Sequence, residues 1–454
     1  MIQCPVEGEI FDVFTIGFGP AGLAIAVAIH DHPEGKTLKT HHIESHPQFS
    51  WHPGMLIPGY TMQVSFLKDL ATVRDPTSKF TFLNFLKSTG RLIDFFNLYT
   101  WLPLRTEMDQ YMRWCASHFA NETEYSCVGL SVEPYFPPGS DGQTINILKV
   151  TYKNTLTGEI HSALTRNVVI ATGAQPRIPA DFPQDHPRVI HSSNYLFTKI
   201  PADVKSIGVI GAGQSASEIF KHTTTLFPQA ETNLILRKTA VRPADISPFL
   251  NEKYNPEGVD YYFNLSEENR KSLLNEMQIT AVGILHPNLV NDLYRMKYID
   301  QAYGGHGKHD ILPNMNVTKV EADDDKVTVT MTSAITGETT VKEYEYFFNG
   351  LGYIRKTQVT LLEDHLSKQL FPLSLRRDYS AHNYDPNFKA GIYLQGQAEG
   401  SHGISDGALS VLSVRGWEVV ESILKRKNGG NWAPDERHNR VQLESRSDGL
   451  VWGF

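Results

Sequence analysis

The sequence has few of the features that mark several large classes of protein. It contains three cysteines, Cys4, Cys115 and Cys127, and no two of them form a C-x-x-C pair. This excludes the redox-active dithiol of a flavin disulfide reductase, provides no disulfide scaffold and suits a reducing compartment. There is also no run of basic residues, and 42 Lys and Arg against 50 Asp and Glu give a net charge of −8. Nucleic acid is therefore not an expected partner.

Two further absences concern location and metal binding. No apolar run approaches the length of a membrane helix, and the N-terminus lacks the basic and apolar segments of a secretion signal. We therefore expect a soluble, cytoplasmic protein without a membrane partner. Histidines occur in close pairs, at His30 and His32, at His41 and His42, and at His306 and His309. No pair has a third ligand at helical or hairpin spacing, so we expect no metal site.

The most informative stretch that is present runs from Ile10 to Leu23. A β-type apolar run is followed by a glycine turn, which includes Pro20 as an expected cofactor contact, and then by an apolar helix. Gly17, Gly19 and Gly22 have G-x-G-x-x-G spacing, which permits a tight turn, close approach of backbone to a pyrophosphate, and packing of helix on strand. The helix N-terminus adds partial positive charge there. One such motif also fits an ordinary strand-to-helix turn.

A second copy of the motif lies between Lys205 and Ile219. Gly211, Gly213 and Ala216 repeat the spacing after a short Ile/Val run, and Gln214 and Ser215, between Gly213 and Ala216, are expected cofactor contacts. Two copies in one chain are far more specific than one, so we expect two dinucleotide-binding sites.

The residues that follow each motif differ in charge. The strand after the first motif ends at Glu44, whose carboxylate suits a ribose hydroxyl. The strand after the second ends at Arg237 and Lys238, which suit a 2′-phosphate. This asymmetry assigns FAD to the first site and NADPH to the second.

With 454 residues, the chain has room for about three domain-sized units. We predict an α/β fold with two Rossmann-like dinucleotide-binding domains and a small helical substrate-binding insertion. The predicted boundaries are 1–200 for the first part of the FAD domain, 201–264 and 304–345 for the NADPH domain, 265–303 for the helical segment, 346–427 for the second part of the FAD domain, and 428–454 for a polar tail.

Local signals predict several boundaries within these units. Short β segments separated by turns at 321–325 and 333–338 are expected over 316–341. A helix is expected over 76–90, with Thr77 or Ser78 as its N-cap and Gly90 after its end. Ser405 or Asp406 is expected to cap a last long helix whose apolar stripe includes Leu409. The loop 49–56 carries bulky side chains, which either cover a flavin or pack as an ordinary loop.

Six motifs together resemble one family of enzymes. They are Ser50-Trp-His-Pro-Gly-Met55, Met62-Gln-Val-Ser-Phe-Leu-Lys-Asp69, Lys79-Phe-Thr-Phe-Leu-Asn-Phe-Leu86, Gly213-Gln-Ser-Ala216, Ser247-Pro-Phe-Leu-Asn-Glu252 and Ser401-His-Gly-Ile-Ser-Asp406. The chain resembles the microbial amino-acid N-hydroxylating flavin monooxygenases from about Phe11 to Ser422, and most of all the fungal ornithine-hydroxylating members of siderophore biosynthesis. The resemblance implies FAD, NADPH, O2 and a primary amine as substrate.

The resemblance also implies roles for individual residues. Lys68 would pair with the substrate carboxylate and Asn251 with the amino-acid head group, while Ser410 would lie near the reacting end. Gln63 would lie where the flavin reacts with oxygen, and Met62 at the face of the isoalloxazine. Further cofactor contacts are implied for Trp51, His52, Asp406 and Leu409. The alternative for Lys68 is a surface cation, although its apolar neighbours make this less attractive.

Two stretches depart from the family pattern. Ala281 stands where ornithine-specific relatives carry an Asn, and Gly283 and Ile284 look more like lysine-type members; Thr280 would then be a substitute polar contact. The late strand reads Phe348-Asn-Gly-Leu-Gly-Tyr353 in place of the usual Ala-Thr-Gly-Tyr. We expect L-ornithine as substrate, with L-lysine, another amino acid or a diamine as alternatives.

Two other classes of function compete with hydroxylation. One is an uncoupled NADPH oxidase or redox sensor. The other is a noncatalytic binding protein, which two intact glycine motifs disfavour. Some relatives are homotetramers, so a homotetramer is the oligomeric state that the resemblance implies.

The charge at the second site gives a test of its coenzyme. A charge-assisted contact to a 2′-phosphate contributes about 1.5–3 kcal/mol, so Arg237→Ala should weaken NADPH use by roughly one to two orders of magnitude. NADH, which lacks this phosphate, should be used almost as well as before. Steady-state kinetics with both coenzymes measure this, and equal losses for both would contradict the assignment.

Overall fold

The computed structural model describes residues 8–281, 283–303 and 307–429, without the side chains of residues 278–281. Cys4, His306 and nearly all of the predicted polar tail at 428–454 lie outside the described residues.

The strands are numbered here in chain order. They are β1 (Ile10–Phe11), β2 (Val13–Ile16), β3 (Thr40–Glu44), β4 (Thr123–Tyr125), β5 (Cys127–Tyr135), β6 (Ile147–Asn154), β7 (Ile160–Thr165), β8 (Asn167–Ile170), β9 (Gln175–Pro176), β10 (Val189–His191), β11 (Ser206–Ile210), β12 (Glu231–Ile235), β13 (His309–Leu312), β14 (Met315–Ala322), β15 (Val327–Ser333), β16 (Thr339–Tyr344), β17 (Tyr346–Asn349), β18 (Tyr353–Ile354) and β19 (Gly391–Leu394).

The helices are numbered in the same way. They are α1 (Pro20–Asp31), α2 (Phe82–Ser88), α3 (Leu92–Asn97), α4 (Arg105–Ser117), α5 (Gln214–Leu226), α6 (Pro248–Asn251), α7 (Gly258–Asn264), α8 (Glu267–Ala281), α9 (Pro287–Ala302), α10 (Thr357–Leu370), α11 (Glu399–His402) and α12 (Leu412–Lys427).

The first glycine turn belongs to a parallel sheet of order β19-β8-β2-β3-β4. All residues of β2, β8 and β19 are buried, as expected for strands covered on both faces. On one face α1 packs against α12, and the contact is close at Gly416, where an added Cβ would lie 2.8 Å from the Ala24 carbonyl oxygen. The chain thus returns to the first sheet after building the second.

The second glycine turn belongs to another parallel sheet, of order β10-β17-β11-β12-β13. Two of its strands lie outside the predicted NADPH segments, since Val189–His191 precedes residue 200 and Tyr346–Asn349 follows residue 345. Both pair with the second sheet because a buried strand needs hydrogen-bonded neighbours, which can come from distant parts of the chain. The sheet therefore corrects these two predicted boundaries.

The antiparallel pair β9-β18 and two larger sheets accompany the parallel ones. One has the order β1-β7-β6-β5, in which only β1 and β7 run parallel, and the other is the meander β14-β15-β16. The predicted turns at 321–325 and 333–338 separate the strands of this meander, so that prediction is confirmed. The α/β fold with two dinucleotide-binding sheets is confirmed as well.

The predicted helical insertion is confirmed, but it begins before residue 265. Helices α6 to α9 run from Pro248 to Ala302. Tyr262, Leu274 and Met277 form a small buried cluster with Ile404, which lies in a 3-10 turn at Ile404–Gly407. This contact attaches the insertion to the part of the chain that precedes α12.

The predicted caps of two helices are wrong. Helix α2 begins at Phe82, and the Thr81 hydroxyl caps it by accepting from the Asn84 N–H at 3.3 Å. Thr77 is instead held in a turn, where the Asp75 carboxylate accepts from its backbone N–H at 2.8 Å. Gly90 does follow the helix end, with a φ of +74°.

The last long helix is fixed by an ion pair instead of a cap. Helix α12 starts after Val411, which provides no side-chain cap, so neither Ser405 nor Asp406 caps it. The Asp406 carboxylate accepts from the Ala398 N–H at 2.6 Å and pairs with Arg415 of α12 at 2.8 Å. Both charges are buried, so the pair holds the start of α12 against the 404–407 turn.

A second buried ion pair joins the two halves of the molecule, that is, the parts built around the first and the second parallel sheet. Arg105, the first residue of α4, donates to both Glu218 carboxylate oxygens, at 2.7 and 2.5 Å, and Glu218 lies in α5 of the second sheet. Their side chains are 7% and 0% exposed. A charge buried this completely requires its partner.

Removing one member of this pair should therefore destabilise the fold. Arg105→Met leaves Glu218 buried without its cation and should lower the free energy of unfolding by about 3–5 kcal/mol. Urea unfolding of the cofactor-loaded protein measures the change. The double variant Arg105→Met/Glu218→Leu should recover most of the loss.

An exposed ion pair supplies the control. Lys326 and Glu343 pair at the surface, so Lys326→Met should change stability by less than about 1 kcal/mol. A loss of that small size for Arg105→Met would show that the buried pair does not hold the halves together.

Candidate active site

The described part of the chain encloses a cavity of about 980 Å³. Several separate parts of the chain line it, and three of them carry the expected site residues. The segment after β3 contributes Gln63, Val64, Ser65, Lys68 and Leu102. The second glycine turn and the end of β12 contribute Gly211, Gly213, Gln214, Ser215, Arg237 and Lys238. The helical insertion and the turns before α12 contribute Asn251, Tyr254, Asn255, Gly283, Ile284 and Ser410.

The second glycine turn has the geometry of a nucleotide site. Gly211 has a φ of +137°, and an added Cβ would lie 2.6 Å from the Gly350 carbonyl oxygen and 2.9 Å from the Ala216 Cβ. Gly350 is equally crowded, since its own Cβ would lie 2.6 Å from the Ala216 Cβ. The Asn-Gly departure in the late strand therefore has a packing reason: Gly350 makes room for the Ala at the third motif position.

Gln214, the first residue of α5, is held from two sides. Its amide nitrogen donates to Glu218 at 2.6 Å, and its amide oxygen accepts from the His286 N–H at 2.8 Å. The ion pair between Arg105 and Glu218 thus also fixes the helix start beside which a pyrophosphate binds.

Positive charge collects at the end of β12. Burial lowers the pKa of Lys238, and the neighbouring cations Arg242 and Arg237 lower it further. A phosphate dianion would relieve this repulsion, so the three residues fit the 2′-phosphate of NADPH. An added Cβ at Gly283 would lie 2.9 Å from the Lys238 Nζ, so this glycine leaves space for the cation.

The first glycine turn also leaves room for a ligand. An added Cβ at Gly17 would lie 2.5 Å from the Ala171 carbonyl oxygen, and one at Gly22 would lie 2.2 Å from the Gly17 carbonyl oxygen. At Gly19, by contrast, nothing lies within 4 Å. The backbone is therefore crowded behind the turn and open in front of it, which fits the pyrophosphate of FAD above the N-terminus of α1 that Pro20 opens.

Glu44 lies beside this turn and is ionised. Its carboxylate accepts from the Phe18 N–H at 2.8 Å and from the His46 N–H at 2.9 Å. Burial alone would raise the pKa of Glu44, but the hydrogen bonds from His46 and Phe18 outweigh it and hold the pKa below its usual value. A carboxylate with remaining lone pairs suits the ribose hydroxyl predicted from the sequence.

The bulky loop after β3 is packed against the chain. Trp51 is 7% exposed and shares a hydrophobic cluster with Met62, which is 4% exposed. His52 has a left-handed φ of 46°, and an added Cβ at Gly54 would lie 1.8 Å from the Ser193 carbonyl oxygen. The loop is thus packed against the chain, and contact of Trp51, His52 and Met62 with a flavin stays a prediction.

His52 is neutral in this environment. Burial lowers its pKa to about 4, and Arg105 and His191 act in the same direction. Its Nδ1 lies 3.5 Å from the Tyr353 hydroxyl, and Tyr353 lines the cavity. The imidazole next to the Tyr353 hydroxyl is therefore uncharged.

The residues expected to hold the substrate meet in the cavity. Lys68 is half-buried, and its Nζ donates to the Asn255 amide oxygen at 3.4 Å. Burial lowers the pKa of Lys68, while Glu257 opposes this shift. Asn251 is exposed, and its amide nitrogen donates to the Ile246 carbonyl at 3.2 Å. Ser410 is 2% exposed and donates to the Tyr254 carbonyl at 3.0 Å.

Two expected site residues, Asp406 and Leu409, do not join this group. Asp406 is used by Ala398 and Arg415, as described above, and Leu409 packs against the cluster around Trp51; neither is among the residues that line the cavity. Thr280 lies in α8, but its side chain is outside the described residues, as is that of Ala281.

Sequence reasoning missed several residues that the fold brings to the site. Arg242 adds a third cation beside Arg237 and Lys238, and the spacing R-K-x-x-x-R was a visible signal. Asn255 approaches Lys68, for which only the turn-forming Asn-Pro pair gave any signal. Glu218 carried no signal, because nothing local indicates that it meets Arg105.

Two structural observations concern metal binding and membrane crossing. Among residues 8–281, 283–303 and 307–429, no three His, Cys, Asp or Glu side chains are grouped as metal ligands. None of the helices in this same part combines the length and apolar character needed to cross a membrane.

Two parallel sheets, each with a nucleotide-binding glycine turn, and a cavity at the second turn define a two-nucleotide flavoprotein. The family described as L-lysine 6-monooxygenase/L-ornithine 5-monooxygenase matches residues 9–355. The chain belongs to this family, which confirms the resemblance, and it is a flavin-dependent N-hydroxylating monooxygenase.

Known relatives agree over almost the whole chain. An L-ornithine N(5)-monooxygenase of Aspergillus oryzae is 38% identical, over 97% of this chain and 94% of its own. The structure of an ornithine hydroxylase from Pseudomonas aeruginosa, at 33% identity, superposes with a TM-score of 0.86 over 92% of this chain and all of its own. An ornithine N-hydroxylase from Kutzneria, bound to reduced FAD, NADP+ and L-ornithine, is 32% identical with a TM-score of 0.86 over 92% of this chain and 100% of its own.

The position of Gln63 gives a test of its role. Its exposed amide lines the cavity, where it is available as a hydrogen-bond donor. Gln63→Ala should retain FAD and its reduction by NADPH but release more hydrogen peroxide, because oxygen loses a hydrogen-bond partner before transfer. Peroxide and hydroxylamine are quantified together, with the exposed Gln143→Ala as control. An unchanged peroxide yield with normal hydroxylation would remove Gln63 from the site.

Proposed function

We propose that the chain hydroxylates the side-chain amine of L-ornithine, using FAD, NADPH and O2, for the biosynthesis of a hydroxamate siderophore. The observation that carries this proposal is that Lys68, Asn251 and Ser410 line the same cavity as the second glycine turn. A cation and an amide for an amino acid thus lie next to a site for NADPH. The ornithine hydroxylases of Aspergillus, Pseudomonas and Kutzneria support the choice of substrate.

Two residues of the cavity lining suit the two ends of an amino acid. Lys68 offers an ammonium for the α-carboxylate, and a charge-assisted contact of this kind orients as well as binds. Ser410 donates its own proton to the Tyr254 carbonyl, so its oxygen remains an acceptor for an amine N–H. Ser410 would therefore orient the lone pair of a neutral amine for reaction.

The protein must also favour the neutral amine. A side-chain ammonium has a pKa near roughly 10.4, and transfer into a partly buried cavity favours loss of its proton. Bound FAD, once reduced, supplies the electrons and oxygen chemistry of hydroxylation. The residues of the chain then need to bind, orient and exclude water, and no side-chain base is required.

L-Lysine is the competing substrate. Gly283 and Ile284 line the cavity, and they are the residues that look more like lysine-type members. One methylene changes binding by only about 1–3 kcal/mol, so partial activity on lysine is expected.

An NADPH oxidase without hydroxylation is the second alternative, since the polar contact at position 281 is missing. A homotetramer in the cytoplasm is the assembly and location we propose, on the resemblance and on the three cysteines, which form no C-x-x-C pair and suit a reducing compartment.

A panel of amines tests the proposal. L-Ornithine, L-lysine, putrescine and cadaverine are each supplied with NADPH, and hydroxylamine and peroxide are measured together. L-Ornithine should give the highest kcat/KM for hydroxylamine. Better hydroxylation of putrescine or cadaverine than of both amino acids would contradict the proposal, as would peroxide formation without hydroxylamine.

Lys68→Ala sharpens the same test. Loss of the ammonium should raise the KM for L-ornithine by roughly one to two orders of magnitude, because a charged hydrogen bond contributes about 1.5–3 kcal/mol. NADPH-driven reduction of FAD should be nearly unchanged, and so should the KM for putrescine, which has no carboxylate. The exposed Lys87→Ala in α2 serves as control. Equal losses for ornithine and putrescine would show that Lys68 does not bind the carboxylate.

A further inference from the structure

Asn255 is the polar residue that approaches Lys68 in the cavity. The Lys68 ammonium has only protons to donate, so the group that faces it at 3.4 Å must be the Asn255 amide oxygen. This orientation leaves the amide nitrogen of Asn255, with two protons, on the other branch of the same side chain. Both residues line the cavity, although Lys68 follows β3 and Asn255 belongs to the helical insertion.

The backbone holds Asn255 in place. Its N–H donates to the Glu252 carbonyl at 3.1 Å, and its carbonyl accepts from the Gly258 N–H at 3.0 Å. It precedes Pro256, which restricts it to an extended backbone conformation, as its φ of −80° and ψ of 154° show. The position of the amide is therefore set before any ligand binds.

The Asn255 amide nitrogen has no hydrogen-bond partner among the residues that the structure describes. A cavity that contains a lysine ammonium and an adjacent free N–H donor fits an anion with two oxygens, such as a carboxylate. Asn251, by contrast, already donates one of its two amide protons to the Ile246 carbonyl.

We propose that Asn255 is a second ligand of the substrate carboxylate, donating to one oxygen while its own oxygen aligns the Lys68 ammonium toward the other. This inference rests on the proposed function and extends it, since it explains how an amino acid is preferred to the diamine of the same length.

A neutral amide is required at this position. An aspartate would also accept from Lys68, but its charge would neutralise the ammonium and repel the incoming carboxylate. It would at the same time attract the second ammonium of a diamine. Asn255→Asp and Asn255→Ala therefore make different predictions for substrates with and without a carboxylate.

The experiment compares KM and kcat for L-ornithine and putrescine in the FAD-loaded enzyme. Asn255→Ala should raise the KM for L-ornithine by about tenfold and change that for putrescine less than twofold. Asn255→Asp should raise the KM for ornithine further and lower the KM for putrescine. NADPH-driven reduction of FAD, which does not need the amino acid, should stay within twofold of wild type in both variants.

Asn264→Asp is the matched control, because it makes the same change in charge at an exposed position of α7 that does not line the cavity. It should leave both KM values unchanged. The inference is overturned if both Asn255 variants bind ornithine within twofold of wild type, or if the KM for putrescine rises together with that for ornithine.

Calorimetric titration separates this inference from the proposed function. L-Ornithine and putrescine are titrated into the FAD-loaded wild type and the two Asn255 variants, so that affinity is measured without turnover. Ornithine binding by the wild type without hydroxylamine formation would overturn the proposed function alone. Equal ornithine affinity of the wild type and Asn255→Asp would overturn the role of Asn255 alone.

Discussion

The arrangement of the site depends on the buried ion pair between Arg105 and Glu218. Arg105 begins α4 beside the first sheet, and Glu218 lies one turn into α5, which starts at the second glycine turn. The Glu218 carboxylate also accepts from the Gln214 amide nitrogen. The Gln214 amide oxygen in turn accepts from the backbone N–H of His286, the residue before α9. One carboxylate thus connects the first half, the second glycine turn and the helical insertion. A buried pair of this kind adds little net stability compared with apolar packing, but it permits one geometry.

Through this geometry, one cavity contains the proposed sites of two small molecules, the coenzyme and the amino acid. The second glycine turn and its cations lie on one part of the lining, and Lys68, Asn255 and Ser410 lie on the others. In sequence, Lys68 precedes all strands of the second sheet, and Ser410 follows them. The residues proposed to bind substrate therefore converge only when the two sheets and the insertion keep their relative positions, which the ion pair between Arg105 and Glu218 fixes.

Much of the fold could be predicted from local sequence. The strand Thr40–Glu44, both glycine turns and the meander after residue 315 follow from apolar runs and turn residues alone. The caps of α2 and α12 could not be predicted from local rules. Asp75 holds Thr77 in a turn, and Arg415 pairs with Asp406, so neither expected residue acts as a cap. The boundary at residue 345 failed for a similar reason, since β17 finds its partners in strands far away in sequence.

The site divides in the same way. The resemblance predicted the convergence of Lys68, Asn251, Gln63 and Ser410, which the cavity supports. Asn255 and Gly350 were not predicted, because their roles depend on which residue of another segment lies opposite. Gly350 is instructive, since the departure from the family pattern at this strand is matched by the crowding of Ala216 against it.

We propose that coenzyme and amino acid share the cavity next to the second glycine turn, and a crystal structure of the enzyme with FAD, NADP+ and L-ornithine would show whether they do. We expect the ornithine carboxylate against Lys68 and Asn255, and its side-chain nitrogen toward Ser410. We expect the 2′-phosphate of NADP+ against Arg237, Lys238 and Arg242. An ornithine molecule bound away from Lys68, or in a cavity that NADP+ does not enter, would contradict it.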